Sequence, residues 1–301
     1  SSSPATLEAS KAVDAFGLID GHSIEQCDAE QAYVQSKLGG TETWVTLPKE
    51  YWPSSWNKYR SPVVQLKLSL YGHPDAGGYW EQYCRSKLLD GGFLPLQSGT
   101  WSSVYRHPKL NLLLMVYVDD FKMSGPSENL SKGWQLIRKH IKTDKPMPAG
   151  KCLGCDHLIG TTKVGGKSVK QIEYDMQPFL EQCVQAYLTA SKKDRKTLKK
   201  AATPFLDEHV LEKERQALDA QGPNSNAKGT LQPIAASVLM KVLYAARLAR
   251  FDLLKAVGNL ASKITKWDHT CDRQLHRLIS YINSSLEYRL KGHIGDRAED
   301  L

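Results

Sequence analysis

Apolar and polar positions fall into segments of recognisable period along the chain. Residues 3–19 (SPATLEASKAVDAFGLI) repeat apolar positions at helical spacing, with Ser3 placed to cap the helix and Pro4 suited to its first turn. HSIEQCDAEQAYV (22–34) predicts a strand centred near Ile24–Asp28. Residues 44–66 set Trp44, Tyr51, Trp52 and Trp56 among Pro48, Pro53 and Pro62, which predicts an irregular excursion with short strands. DAGGYWEQYCRSKLLDGGF (75–93) predicts a helix closed by Gly91-Gly92. Two strands follow, SSVYRH (102–107) and LNLLLMVYV (110–118). SENLSKGWQLIRKHIK (127–142) then predicts an amphipathic helix opened by a capping box. Residues 151–175 predict a strand, a turn at Gly165-Gly166 and a second strand; 176–191 predict a helix.

The pattern changes at residue 192. KKDRKTLKK (192–200) is a basic run with one acid, and 207–230 are polar, so 192–230 is expected to be a linker or flexible insertion. From 231 the helical period returns and is expected to continue towards the C-terminus. No internal repeat is visible. The whole predicts an α+β core with a helical C-terminal part.

Composition narrows the function classes. The 301 residues suit about two domains. An apolar content of 41% with 24% charged residues excludes global disorder. The net charge of +8 favours a polyanionic partner, nucleic acid or an anionic surface. No apolar run reaches the ~18–20 residues of a membrane span, so no membrane partner is expected. Six scattered cysteines without a signal peptide suit a reduced, intracellular setting. A start at SSSPATLEA, without methionine, suggests a piece of a longer polypeptide.

One segment carries candidate chemistry. LLLMVYVDDF (112–121) runs a buried-type strand into two acids. Ionised carboxylates are costly to bury unpaired. Neighbours on a strand face opposite ways, so Asp119 and Asp120 share a cleft only if the chain turns there. A hairpin with the acids at its tip satisfies this and predicts unequal roles, one acid in the cleft and one at its edge. Mg²⁺ takes one or two carboxylates with waters and phosphates, and a two-metal site needs shared carboxylates. Asp28, ending SIEQC before Ala29, Ala32 and Tyr33, is the candidate third acid. A solvated turn is the commoner explanation of such a pair, and the residues alone leave both open.

Several stretches together resemble the reverse transcriptase of copia-type LTR retrotransposons, in a divergent form like that of dinoflagellate retroelements. These are CDAEQAYVQSKL (27–38), TWVTLPKEYWP (43–53), VVQLKLSLYGHPDAGGYWEQ (63–82), LLLMVYVDDFKMSG (112–125), CLGCDHLIG (152–160), TPFL (203–206), SVLMKVLYAARLARFDLLKAVGNLAS (237–262) and LHRLISYINSSLEYRL (275–290). Their order and spacing agree with the family over nearly the whole chain.

The resemblance implies a right-hand polymerase. Residues 1–150 would form the palm, with antiparallel sheet and helices, and part of the fingers. Residues 151–191 would form the primer-grip hairpin and the start of the thumb, 192–230 a polar basic linker, and 231–301 a helical thumb/connection leading to an RNase H domain beyond Leu301. It implies two Mg²⁺ ions, with Mn²⁺ as a substitute, at Asp28 and Asp119, with the Ala29 carbonyl completing one shell and Asp120 supporting the site. Gln31, Ala32, Tyr33, Tyr71, Gly72 and Tyr117 would meet the nucleotide, with Tyr33 as a steric gate beneath the sugar. Leu153, Gly154 and Cys155 would grip the primer end. The implied partners are an RNA or DNA template with primer, dNTP, and the RNase H and integrase parts of one polyprotein. The setting would be a cytoplasmic virus-like particle or the nucleus.

The chain departs from the family in two places. Pro74-Asp75-Ala76-Gly77-Gly78 stand where the family has Lys-Gln-Ala-Pro-Arg, an acid replacing a base beside a polyanion. The family's basic fingers hairpin, which grips the triphosphate, would lie before Ser1. A non-catalytic nucleic-acid-binding remnant is therefore the alternative function. A metal-dependent nuclease would need a further acid or His in the cleft, and none stands in a suitable context.

Other features have plain readings. Cys152-x-x-Cys155 with His157 lacks a second pair for zinc, so core and primer-grip cysteines are the better expectation. His269, Cys271 and His276 suit a packed or solvated helix face. KKDRKTLKK could follow a phosphate backbone or be a solvated linker. Arg247 and Arg250 are read on one helix face, against duplex or, for Arg250, paired with Asp252. Trp52 and Trp56 are read as packing.

Overall fold

The computed structural model describes residues 4–96, 101–207, 209, 211–213, 216 and 229–296. The chain is mixed α+β with antiparallel sheets and divides into two compact units. The first holds residues 1–149, 161–170 and 293–301; the second holds 150–160 and 171–292.

In the first unit, α1 (Leu7–Leu18) leads into β1 (His22–Asp28), then a ribbon of β2 (Trp44–Thr46) and β3 (Val63–Gln65). Next come α2 (Ala76–Asp90), β4 (Leu94–Pro95), β5 (Val104–His107), β6 (Leu112–Tyr117), β7 (Asp120–Pro126), α3 (Ser127–Arg138) and β8 (Met147–Pro148). Six strands form an antiparallel sheet in the order β4-β5-β6-β7-β1-β8. Side-chain parity gives this sheet two dry faces. Cys27, Leu112, Leu114, Val116, Phe121 and Met123 point to one and pack with Trp80 and Leu88 of α2 and Leu130 and Trp134 of α3. The opposite parity set, including Ile24 and Lys122, meets α1. Two glycines permit the close approach of helix and sheet. A Cβ at Gly17 would lie 2.1 Å from Ile24 Cγ1, and one at Gly133 would lie 2.5 Å from Leu112 Cδ1.

The α1 face carries a buried ion pair. Lys122 Nζ donates to Asp14 Oδ1 and to Ser10 Oγ, both at 2.7 Å, with the Lys and Asp side chains 1% and 0% exposed.

Helix ends differ from expectation for local reasons. Ser3 lies outside the described residues, and α1 is capped by Thr6, whose Oγ1 accepts from Ala9 N at 3.2 Å. The α3 capping box does not form; Ser127 Oγ donates instead to Gly21 O at 2.9 Å. α3 also stops at Arg138, because the backbone at 142–144 bonds elsewhere: Glu30 N donates to Lys142 O and Asp144 N to Asp28 O. Trp52 and Trp56 are half-buried, and Trp52 Nε1 donates to Leu47 O.

The second unit contains β9 (Lys151–Cys152), the first residues of β10 (Cys155–Val164) and most of β11 (Lys167–Asp175). It continues with α4 (Gln177–Ser191), α5 (Gln232–Leu248), α6 (Leu254–Ala261), α7 (His269–Ser284) and the start of β12 (Leu290–Ile294). The strands run in the order β12-β11-β10-β9. β12 corrects the expectation of helix in this stretch: its exposure alternates residue by residue, a period of two that a polar composition concealed.

The basic run is also not a plain linker. Arg195 forks onto Glu181 and onto Asn283 Oδ1, Leu198 and Ala201 are buried, and Arg277 Nε donates to Thr203 O, so this part straps α4 and α7 together. Residues 217–228 of the expected linker lie outside the described residues. Arg250 lies past the end of α5, so it does not share a helix face with Arg247; buried, it pairs with Asp252 and Ser285 and is closed to any duplex. His269 is exposed, Cys271 is buried, and His276 bonds Tyr187 and the Thr197 carbonyl. Among the described residues no helix is long and apolar enough to cross a membrane.

Candidate active site

β1 and β7 pair so that Asp28 lies opposite Asp120 and Cys27 opposite Phe121. Directly opposed residues share a face, so the register sets Asp28 and Asp120 side by side at the end of the sheet. β6 and β7 join through a two-residue turn, Val118-Asp119, with Tyr117 opposite Asp120. Asp119 thus leaves the strand and, with Asp28, lines a cleft of about 750 Å³. Asp120 is not part of that lining.

The turn is strained and held. Val118 has φ +58°, a left-handed value that is an outlier for a β-branched residue. Such backbone costs of order 1–3 kcal/mol and persists only where its surroundings over-determine it. Two hydrogen bonds do so here. Trp80 Nε1 donates to Val118 O at 2.7 Å, and Ala29 N donates to Asp119 O at 2.8 Å. The second ties the hairpin tip to the residue after Asp28.

Burial first, then the charges of Asp28 and Asp119 and a hydrogen bond with Asp28, push the Asp120 carboxyl up to about 6. A raised acid favours the fold only while protonated. The stability Asp120 contributes is present below its ordinary value of 3.8 and is lost as pH rises through about 6. Asp120→Asn keeps the group neutral throughout. Thermal melts in EDTA should therefore show Asp120→Asn more stable than wild type at pH 8 and indistinguishable at pH 3. Equal melting curves at pH 8 would refute this.

The other expected residues divide. Ala29 and Gln31 line the cleft with Asp28 and Asp119. Ala32 is buried and is not part of that lining. Tyr33 lines a separate small apolar cavity with Trp80, Tyr105 and Val118, and packs against Tyr71 with ring centroids 4.5 Å apart and the rings tilted by 43°. Partial burial, then the Asp119 charge, raises the Tyr71 phenol above its ordinary value. Gly72 sits in an exposed turn at φ +91°, and Tyr117 is half-buried on β6. In the second unit, Leu153 (φ +50°) and Gly154 (φ +72°) form a two-residue turn between paired Cys152 and Cys155. Tyr244 donates its hydroxyl to Leu153 O. Cys152 and Cys155 are buried, and His157 Nδ1 bonds the Gly150 and Cys155 carbonyls.

The cleft wall contains residues the sequence did not single out: Glu30, Gln35, Tyr83, His140, Lys142 and Asp144. Glu30, Asp144 and His140 put further acids and a histidine on this wall. Their signal was hidden because 140–144 joins the cleft through long-range bonds, including a bridge of Ala29 with Thr143. Gln31 adopts the left-handed conformation (φ 50°, ψ 49°) and starts a turn at Ala32–Gln35. Among the described residues no three His, Cys, Asp or Glu side chains are gathered into a ligand set that could hold an ion. No protein-family model matches this chain, and no curated protein matches it.

Proposed function

We propose that this chain is the RNA-directed DNA polymerase core of a copia-type retroelement, joining a dNTP to a primer 3′-OH. One observation carries the reading: Asp28, at a strand end, and Asp119, in a neighbouring hairpin turn, face one cleft and are tied by the Ala29–Asp119 backbone bond. In this reading the first unit supplies the palm and part of the fingers, and the second the thumb and connection.

The donor set fits Mg²⁺, or Mn²⁺ in its place. Carboxylate oxygens suit hard cations, and Mg²⁺ in nucleotide sites needs only one or two of them beside substrate phosphates. Asp28 and Asp119 would hold two ions, with the Ala29 carbonyl, and Asp120 would buttress Asp28. Bound there, the metals would supply activation of the 3′-OH and charge stabilisation on the leaving pyrophosphate.

The chain's own groups do the positioning. A left-handed residue at Gln31 makes the concave backbone that binds anions, so the N–H groups of Gln31 and Ala32 would meet the triphosphate. Lys142 adds a cation to the same wall. Tyr33, braced by Tyr71, would close the space beneath the sugar against a 2′-OH; Gly72 and Tyr117 would border the nucleotide. The Leu153-Gly154-Cys155 turn is assigned to the primer end. Template, primer and dNTP are the proposed substrates, RNase H and integrase parts the proposed neighbours, and a virus-like particle or the nucleus the proposed setting.

Replacing Tyr33 with Val opens that space. Incorporation of rNTP relative to dNTP should rise roughly 10–100-fold, the scale of a few methylenes in a shaped pocket. Single-nucleotide insertion assays measure it, and an unchanged ratio removes Tyr33 from the gate role.

The test of function is primer extension on an RNA template with dNTPs and Mg²⁺, repeated with Mn²⁺. Salt-sensitive duplex binding without extension would favour the non-catalytic remnant. A second reading, phosphodiester hydrolysis, draws on Glu30, His140 and Asp144 in the cleft wall. Shortening of labelled strands in the absence of dNTP would favour it.

A further inference from the structure

We infer that Gln35 is a positioning residue for the incoming nucleotide, acting through the backbone turn at Glu30–Ala32 and the wall at 140–144. The inference rests on the polymerase reading of the same cleft and adds to it a residue that touches no reacting atom.

The backbone seam between these segments explains why a side chain is needed. Asp144 N donates to Asp28 O at 2.9 Å, Ala29 bridges Thr143, and Glu30 N donates to Lys142 O at 3.0 Å. At Gln31 the chain turns left-handed and leaves the ladder. The next rung would leave Lys142 N–H unpaired at the cleft edge, an outcome that costs free energy. Gln35 replaces that rung. Its Oε1 accepts from Lys142 N at 2.9 Å, while its Nε2 donates to Lys142 O at 2.9 Å and to Glu30 O at 2.6 Å.

Both protons and one lone pair of the amide are committed. The network also decides the amide's orientation. Reversed, Oε1 would oppose two carbonyl oxygens and the NH₂ would oppose the Lys142 N–H. The side chain is half-buried and lines the cleft itself.

The consequence is geometric. Gln35 fixes the Glu30 carbonyl immediately before the left-handed residue, and so fixes where the Gln31 and Ala32 N–H groups point. It also fixes the backbone that carries Lys142. In the polymerase reading both are groups offered to the triphosphate. Loss of Gln35 should therefore weaken nucleotide binding selectively.

The experiment is steady-state insertion of one dNTP by the full chain, comparing wild type, Gln35→Met and Gln35→Glu. Gln35→Met should raise KM for dNTP about tenfold, the scale of one lost hydrogen bond. Its kcat should stay within about twofold, the split expected for uniform binding lost, and its affinity for primer–template should be unchanged. Gln35→Glu, closer in shape, should be worse, because it sets a carboxylate against two carbonyls. A side chain that only filled space would give the reverse order. Amide exchange in Gln35→Met should speed up within 29–34 and 140–144 alone; acceleration throughout would mark general unfolding and overturn the inference. Wild-type KM in both variants, with extension intact, also overturns it. Wild-type protein that does not extend overturns the polymerase reading, and this inference with it.

Discussion

Asp119→Asn should lose primer extension by at least ~10³-fold, the scale at which removing one charge-stabilising group from a preorganised site is felt. The substitution keeps the shape of the side chain. It also leaves untouched the bond from Ala29 N, which goes to the Asp119 main-chain oxygen. The Val118-Asp119 turn should therefore survive, and so should primer–template binding with its steep salt dependence. What disappears is the charge of Asp119 from a cleft that Asp28, Glu30 and Asp144 also line. Asp28→Asn should behave alike. Asp120→Asn should cost far less, because Asp120 does not line the cleft. Gel-resolved extension at matched duplex occupancy measures all three. Asp119→Asn retaining a tenth of wild-type activity, or Asp120→Asn matching its loss, would break the assignment of roles.

Lys122→Ala should destabilise the fold by about 3–5 kcal/mol, the cost of leaving a buried charge without its partner. Asp14 is fully buried in α1 and would face an emptied site in β7. Replacing both members, as Lys122→Met with Asp14→Leu, should recover most of that loss or exceed wild type, because a packed apolar pair escapes desolvation. Urea titrations of the single and double variants form the test. A single variant within about 1 kcal/mol of wild type would mean that the pair contributes nothing beyond packing. Since Lys122 stands two residues after Asp120, extension by the single variant should fall at temperatures where the double variant remains active.

The parts of the site that follow from local chain chemistry were legible in the sequence. A continuous apolar run ending in adjacent acids, with alternation resuming at Phe121, predicts a hairpin tip, and the Val118-Asp119 turn is there. Asp28 at a strand end follows from the predicted strand at Ile24–Asp28. The rest depends on partners far along the chain. Ile141 continues the spacing of α3, so the sequence extends the helix to 142; bonds to Asp28 and Glu30 pull 142–144 into the cleft wall instead. Lys122 sits at a polar position of an alternating strand and reads as solvent-facing, yet α1 covers it with Ser10 and Asp14 from more than 100 residues away. Arg250 has a local partner in Asp252, but its burial is set by Ser285, which no spacing rule links to it. Gln35 carries no signal in one sequence, because its role consists of three bonds to backbone atoms.

The hairpin turn has a consequence for how this stretch can drift. Its two residues set the pairing of Tyr117 with Asp120, and β1 reads that pairing onward to Asp28. Because side chains alternate, removing or adding one residue at Val118 would exchange the two buried faces of β7, setting Lys122 and Ser124 against α2 and α3 and Phe121 and Met123 against α1. Exchanging one apolar residue for another on these strands costs about 1 kcal/mol or less when volume is kept. A lineage carrying this fold can therefore change the spelling of residues 112–126 widely while their number stays constant, and a single-codon deletion there should be as damaging as loss of an acid.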